Sequence, residues 1–162
     1  QQRVQQLPVG ILITDHTGKI VQGNKQINMI LGREIREGLI VGKDTIMPTS
    51  TYNNKPISPS QWPLAQAFAT GKAIVGKEFV IEREDGKRVY VQIGASLVHN
   101  KEGKVIAAAS IISDITQQKE LEARKDEFVN MASHELKTPL TSMRLYIDSL
   151  VDRIKKQHDR TI

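Results

Sequence analysis

The sequence predicts an α+β fold, an antiparallel sheet with short helices, followed by one long C-terminal helix. Three observations carry this expectation. Five stretches rich in β-branched residues alternate or run apolar over strand lengths, separated by turn residues such as Asp85-Gly86. Two short apolar-periodic stretches end on a glycine, as short helices do. From Gln117 onward the period changes to a helical one and holds almost to the end. The 162 residues suffice for one domain plus an appendage, and 39% hydrophobic residues permit a packed core.

The elements follow in order. Gly10 to Thr14 is a short apolar strand, and Asp15-His16-Thr17-Gly18 supplies a turn. Lys19 to Gln22 returns as the second strand of a hairpin. Gly23-Asn24 starts a helix carrying Ile27, Met29, Ile30 and Leu31, with Gly32 as its stop. Residues 33 to 59 are irregular, broken by Pro48, Pro56 and Pro59. Ser60 is the expected N-cap of a helix holding Trp62, Leu64, Ala67 and Phe68, with Pro63 in its first turn and Gly71 as its end. Lys77 to Arg83, Arg88 to Val98 and Val105 to Ile115 complete the sheet through tight turns.

Composition removes several function classes. There is no cysteine, which excludes disulfides, cysteine-ligated zinc and thiol-adduct photochemistry. No apolar run approaches the roughly 20 residues of a membrane-spanning helix. The net charge of +5 is spread along the chain without a Lys/Arg block, so no nucleic-acid partner is expected.

The segments LPVGILITDHTGKIVQGN and SPSQWPLAQAFATG, the EDGK turn and the closing SDIT together resemble a PAS sensor domain over about residues 7 to 116. The resemblance implies a five-stranded antiparallel sheet flanked by helices, which in many members encloses a small molecule. The PAS ligand is unknown, and none is assigned here. His16 and His99 fall in or beside hairpin turns, a poor place for a haem ligand. Trp62 reads as core. Arg83 and Arg88 read as solvated strand ends rather than contacts to an anion. In the family, the short junction Asp114-Ile115-Thr116 couples sensor to output, and dimerisation with relay of strain through it is the role expected of this domain.

The long helix has its own pattern. Leu121, Phe128, Ala132, Leu136, Leu140, Met143, Ile147, Leu150 and Ile154 form an apolar seam. From Leu140 the steps alternate 3 and 4, while between Phe128 and Leu140 they are 4, 4, 4, a local stutter that contains Pro139. A bend is expected there, because proline lacks an N–H and presses on the carbonyl of Glu135. At about 100° per residue, His134 lies roughly opposite the seam, with Thr138 one turn on and Glu135 to one side. A zinc-protease reading fails because Thr138 stands where the second histidine would be. Nothing marks a base and orienting acid for Ser133 or Ser142.

ASHELKTPLT, preceded by KDEFVNM, closely resembles the H-box of sensor histidine kinases, over about residues 117 to 157. The resemblance implies that His134 is the phosphoacceptor, receiving the γ-phosphoryl group of ATP and passing it to an aspartate of a response-regulator receiver domain. Glu135 matches the general base or orienting acid beside the imidazole. Thr138 matches the position that orients water for phosphatase activity, and Lys137 and Pro139 are supporting positions. Met131 and Leu145, near the His134 face, are equally readable as partner-docking or incidental surface apolars.

The expected organisation is thus a PAS domain over 1–116 and, over 117–162, a linker and the first helix of an incomplete dimerisation and phosphoacceptor domain. The expected partners are a second copy, a receiver domain and the protein's own ATP-binding domain. ATP and Mg²⁺ would belong to that catalytic domain, and no cofactor is expected in these residues. The polypeptide by itself is therefore not expected to autophosphorylate. Gln1 in place of an initiator methionine points to a piece of a longer protein, a cytoplasmic portion compatible with a membrane anchor elsewhere. The alternative reading is a PAS-based dimerisation or ligand-binding module with a coiled-coil handle and no phosphotransfer.

Overall fold

The computed structural model describes residues 9–44, 49–52 and 55–158. Leu7, Pro8, Pro48 and the end of the basic C-terminal run from Asp159 lie outside them. The chain divides into two compact units, Gln1–Gln117 and Gln118–Ile162.

The first unit is built on one antiparallel sheet. Five of its strands are β1 (Gly10–Asp15), β2 (Ile20–Gly23), β5 (Ile74–Glu82), β6 (Arg88–His99) and β7 (Val105–Asp114), and these are the five the sequence predicts. Two short strands, β3 (Thr49–Tyr52) and β4 (Lys55–Pro56), extend one edge to give the order β2-β1-β7-β6-β5-β3-β4. This extension is a departure from the irregular segment expected over 33 to 59. Pro56 is compatible with it because it sits in the outermost strand, where a missing N–H costs no ladder bond to a further neighbour.

The inner face of the sheet carries the core. Leu12, Ile81, Val91, Ile93 and Ile112 are each at most 2% exposed. Helix α1 (Lys25–Leu31) packs over β1 and β7, and helix α2 (Pro63–Thr70) over β5, β6 and β7. Alternation puts these side chains on one face, as a period of two requires. Asn24 caps α1 as expected, its Oδ1 accepting the Ile27 N–H at 3.1 Å, and Gly32 ends it at φ 69°. The same Asn24 oxygen accepts the Ile11 N–H at 2.9 Å, and its amide donates to the Val9 carbonyl at 2.8 Å. One buried side chain therefore joins the helix start to β1.

Two local expectations are corrected. Ser60 does not cap α2. A 3-10 turn over Pro59–Gln61 intervenes, with Ser58 ahead of it, and α2 begins at Pro63 after Trp62. The Gln61 side chain accepts the Ser58 N–H at 2.8 Å, which closes this turn. Arg83 is not a solvated strand end. Its Nη1 donates to the Met29 carbonyl at 3.2 Å, its Nη2 pairs with Asp85 at 2.9 Å, and its guanidinium lies against Gly32. A cation at the C-terminal turn of α1 also meets the negative end of the helix dipole. Arg88 does fit the solvated reading, at 3.8 Å from Glu82 with both side chains more than half exposed. Trp62 is core, with its ring 5.0 Å from that of Phe79. His16 and His99 are exposed.

Candidate phosphoacceptor helix

Strand β7 passes into the long helix α3 (Thr116–His158) through Asp114 and Ile115. The backbone at this junction is fixed by three bonds. The Asp114 carboxylate accepts the Thr116 N–H at 2.9 Å, the Ile115 N–H donates to the Tyr90 carbonyl at 2.8 Å, and the Thr116 hydroxyl accepts the Tyr90 N–H at 3.0 Å. Two of the three reach across to β6, so the first residue of the helix and the sheet share hydrogen bonds. Farther on, Gln118 donates to Glu122 at 3.0 Å and Lys119 lies 3.6 Å from it. The Gln118 amide first, and then the Lys119 charge, hold the Glu122 carboxyl below its ordinary value.

Helix α3 then runs unbroken past Pro139. His134, Glu135 and Thr138 are all exposed on it. Thr138 lies one turn beyond His134, and its hydroxyl approaches the His134 carbonyl at 3.4 Å. Neither the His134 imidazole nor the Glu135 carboxylate makes an ion pair or side-chain hydrogen bond with any of the described residues. The imidazole is thus open to visiting groups, with an acidic neighbour in sequence and a hydroxyl one turn away. That set supports nucleophilic attack by a ring nitrogen with a nearby proton acceptor. Among the described residues no cluster of three or more His, Asp or Glu side chains could hold a metal ion. No described helix is long and apolar enough to cross a membrane.

The apolar seam is equally open. Leu140, Met143, Ile147, Leu150 and Ile154 are 55–66% exposed. Met131 and Leu145 are exposed to a similar degree, 54% and 66%. Two hydroxyls that sequence reasoning assigned no role are engaged on the same stretch: Thr141 donates to the Lys137 carbonyl at 2.8 Å and Ser142 to the Thr138 carbonyl at 3.1 Å. Their signal is in the sequence, as Ser/Thr side chains within a turn of a helical proline, but the spacing alone does not tell back-bonded from solvated hydroxyls.

Two family models match, the PAS domain over residues 8–117 and the His Kinase A (phospho-acceptor) domain over residues 124–161. The chain is 38% identical over 72 residues to the sensor histidine kinase WalK of Bacillus subtilis (strain 168), a match covering 44% of this chain and 12% of that protein. It is 32% identical over 78 residues to the sensor protein kinase WalK of Staphylococcus haemolyticus (strain JCSC1435), covering 48% of this chain and 13% of that one. The match thus spans about an eighth of these relatives. Among solved structures, an RNA-binding light-oxygen-voltage receptor superposes with a TM-score of 0.57 at 17% identity, covering 83% of this chain and 37% of that one. A light-oxygen-voltage domain studied with a flavin analogue superposes at 0.51 and 13% identity, covering 80% and 93%. At these identities the two structures bear on the fold alone. With the fold and the family match in agreement, the chain belongs to the PAS domain family, and residues 124–161 following that domain match the His Kinase A (phospho-acceptor) domain.

Proposed function

We propose that His134 is the phosphoryl-carrying residue of this segment, with Glu135 as its proton acceptor and Thr138 as the side chain that positions water for dephosphorylation. The observation that supports this best is an unpartnered, exposed imidazole on a continuous helix, with a loosely held hydroxyl one turn on. A ring nitrogen of neutral His134 attacks the γ-phosphorus of ATP. An N–P bond forms, the P–O bond to ADP breaks, and ADP leaves with the electron pair. The surplus imidazole proton passes to Glu135 or solvent. The phosphoryl group then moves to a receiver aspartate, where a P–O bond replaces the N–P bond. Exposure is a requirement of this sequence, because a catalytic domain and a receiver must reach one atom in turn.

ATP and Mg²⁺ enter with a catalytic domain, for which His134 is the substrate group. The open seam of α3 supports pairing with a second copy, and the hydrogen bonds at Thr116 and Ile115 support a relay from sheet to helix. The rival reading, a binding module with a coiled-coil handle, gives His134 nothing to do.

The two readings part in one experiment. The chain is incubated with the catalytic domain of a similar sensor kinase, ATP and Mg²⁺, and phosphate is tested for acid lability. The expected result is acid-labile, base-stable phosphate that His134→Gln abolishes. Acid-labile phosphate persisting in that variant overturns the assignment, as does no labelling when the catalytic domain's own phosphoacceptor segment is labelled alongside.

A further inference from the structure

Helix α1 is held at its two ends by different chemistry. Its start is fixed by the buried Asn24 amide, and Ile27, Ile30 and Leu31 sink its inner face into the core. At its other end the long-range contacts are made by arginines, and they reach the turn between β5 and β6. Arg33 Nη2 lies 2.6 Å from the Glu84 carboxylate, 51 residues away. Arg83 reaches in the opposite direction, with Nη1 on the Met29 carbonyl at 3.2 Å and Nη2 on Asp85 at 2.9 Å. Its guanidinium rests on the bare backbone of Gly32, where an added Cβ would collide with Nε. That Nε is buried with no acceptor among the described residues. The Asn28 side chain accepts the Ile35 N–H at 2.9 Å, so the end of α1 and the residues after it form one body. Two arginines, one from each side, thus join that body to the turn.

The turn has little else to fix its place. Glu84, Asp85, Gly86 and Lys87 are all exposed. Its backbone bonds are local: Arg83 N–H to the Lys87 carbonyl at 2.9 Å, Gly86 N–H to the Arg83 carbonyl at 3.0 Å, and Lys87 N–H to the Asp85 carboxylate at 3.1 Å. These bonds keep the shape of the turn and not its position. Strand β6 leaves the turn at Arg88, and its third residue, Tyr90, carries the two bonds to the start of α3. The path from Lys87 to Tyr90 is about 10 Å of extended chain. Strand β7 ends at Asp114, opposite Val91, so Tyr90 meets Ile115 and Thr116 where a strand neighbour would otherwise lie. A displaced turn therefore displaces the strand end against which α3 begins.

We propose that Arg33 and Arg83 form an ionic clasp by which α1 sets the position of the β5–β6 turn and, through Tyr90, the stability of the bonds that start α3. The inference goes beyond the phosphoacceptor reading and does not depend on it. Burial makes α1 the fixed side, and exposure makes the turn the moving side. The clasp is the adjustable part, because ion pairs near the surface weaken with salt, whereas the Asn24 bonds are neutral and buried.

The test is amide hydrogen exchange of this chain, unaltered and with Arg33→Glu, with Glu84→Arg, and with both together. Each single change sets like charges against one another across the clasp, and the pair of changes restores the attraction with the charges exchanged. The single variants are expected to speed exchange at Gly86, Lys87, Tyr90 and Ile115 by roughly two- to fivefold, the range of one exposed ion pair. Ile93 and Ile112 are expected to keep their rates, and the charge-swapped chain is expected to return all four amides to the unaltered rates. Salt at about 1 M, where the screening length is about 3 Å, is expected to speed the four amides in the unaltered chain. In Arg33→Glu it is expected to slow them, because there it screens a repulsion. Arg83→Lys keeps a charge but loses the fork that bridges Met29 and Asp85, and is expected to speed the same four amides. Faster exchange at Gly86 and Lys87 with unaltered rates at Tyr90 and Ile115 overturns the coupling. Equal acceleration at Ile93 and Ile112 overturns it too, since the clasp would then support the whole domain. A charge swap that fails to restore the rates, or salt acting in the same direction on both chains, overturns the ionic clasp, and an Arg83→Lys chain with unaltered rates removes Arg83 from it.

Discussion

Asn24 is 1% exposed and holds β1 and α1 together with one amide group: its oxygen serves the Ile11 and Ile27 N–H groups, and its nitrogen serves the Val9 carbonyl. Replacing it by alanine removes the cap and takes this partner from the part-buried Ile11 N–H and Val9 carbonyl, each costing about 1–3 kcal/mol. Asn24→Ala is therefore expected to lower the stability of the sensor domain by about 3 kcal/mol, read as a drop in the urea midpoint with an unchanged slope. Aspartate at this position is expected to recover the two acceptor roles but not the bond to Val9. Asp15 offers a different residue-scale test. The Thr17 hydroxyl first, and then the Thr17 and Lys19 N–H groups, hold its carboxyl below the ordinary value. A carboxyl depressed in the folded state contributes stability above its unfolded pKa, about 3.9, and loses that contribution as pH falls through its folded value. Asp15→Asn should therefore be less stable than the unaltered domain near neutrality, and the difference should narrow progressively below about pH 5. A gap that stays constant in acid would show that the hydrogen bonds, and not the charge, carry the effect.

At the scale of elements, the junction of β7 and α3 is the piece where geometry is most demanding. Thr116 is a helix residue whose hydroxyl serves as a hydrogen-bond partner for β6, at 3.0 Å from the Tyr90 nitrogen. Thr116→Val keeps the branched shape and removes that acceptor. It is expected to cost about 1–2 kcal/mol locally and to speed hydrogen exchange at Tyr90 and over residues 116–120, leaving the amides of Ile93 and Ile112 protected. Equal acceleration throughout the sheet would mean that the bond supports the whole domain and not the junction. The five main strands and the two glycine-closed helices were legible in the sequence because alternation and capping are local signals: β6 alternates over its first eight residues, and Asn24 and Gly32 bracket α1 where their types predict. What stayed illegible was set by distance or by brevity. The edge strands β3 and β4 are four and two residues long, too short for a period to declare itself. Ser58 and Ser60 flank Pro59 with equal capping chemistry, and the choice between them is made by the 3-10 turn. Arg83 bonds Met29, 54 residues away, which no local pattern encodes. In the candidate site the opposite holds. His134, Glu135 and Thr138 lie on one helix, so helical spacing alone predicts their arrangement, and only the hydroxyl back-bonds around Pro139 required coordinates.

At the scale of the whole molecule, the two units differ in how they are stabilised. The sensor domain has an interior, whereas α3 presents its apolar seam to water, with Ile147 and Leu150 59% and 55% exposed. A helix gains most of its stability from burying such a face, so α3 by itself lacks its main stabilising term and a second α3 is the simplest surface that supplies it. Each seam side chain buried contributes roughly 1.5–3 kcal/mol. Glutamate at both Ile147 and Leu150 removes four such side chains from a pair of helices, a loss of roughly 6–12 kcal/mol, comparable to the whole free energy of a micromolar complex at about 8 kcal/mol. The unaltered chain is expected to sediment as a dimer whose helical circular dichroism falls on dilution. The Ile147→Glu, Leu150→Glu variant is expected to be monomeric, with weaker helical signal but the same thermal midpoint for the sheet-containing domain. A variant that stays dimeric would place association in the sensor domain, and one that loses the domain's thermal midpoint as well would show that the two units do not fold independently. The result bears on the proposed role of His134, because in a dimer held by the seams each imidazole stands on the outer side of its own helix, open to the partners that proposal requires.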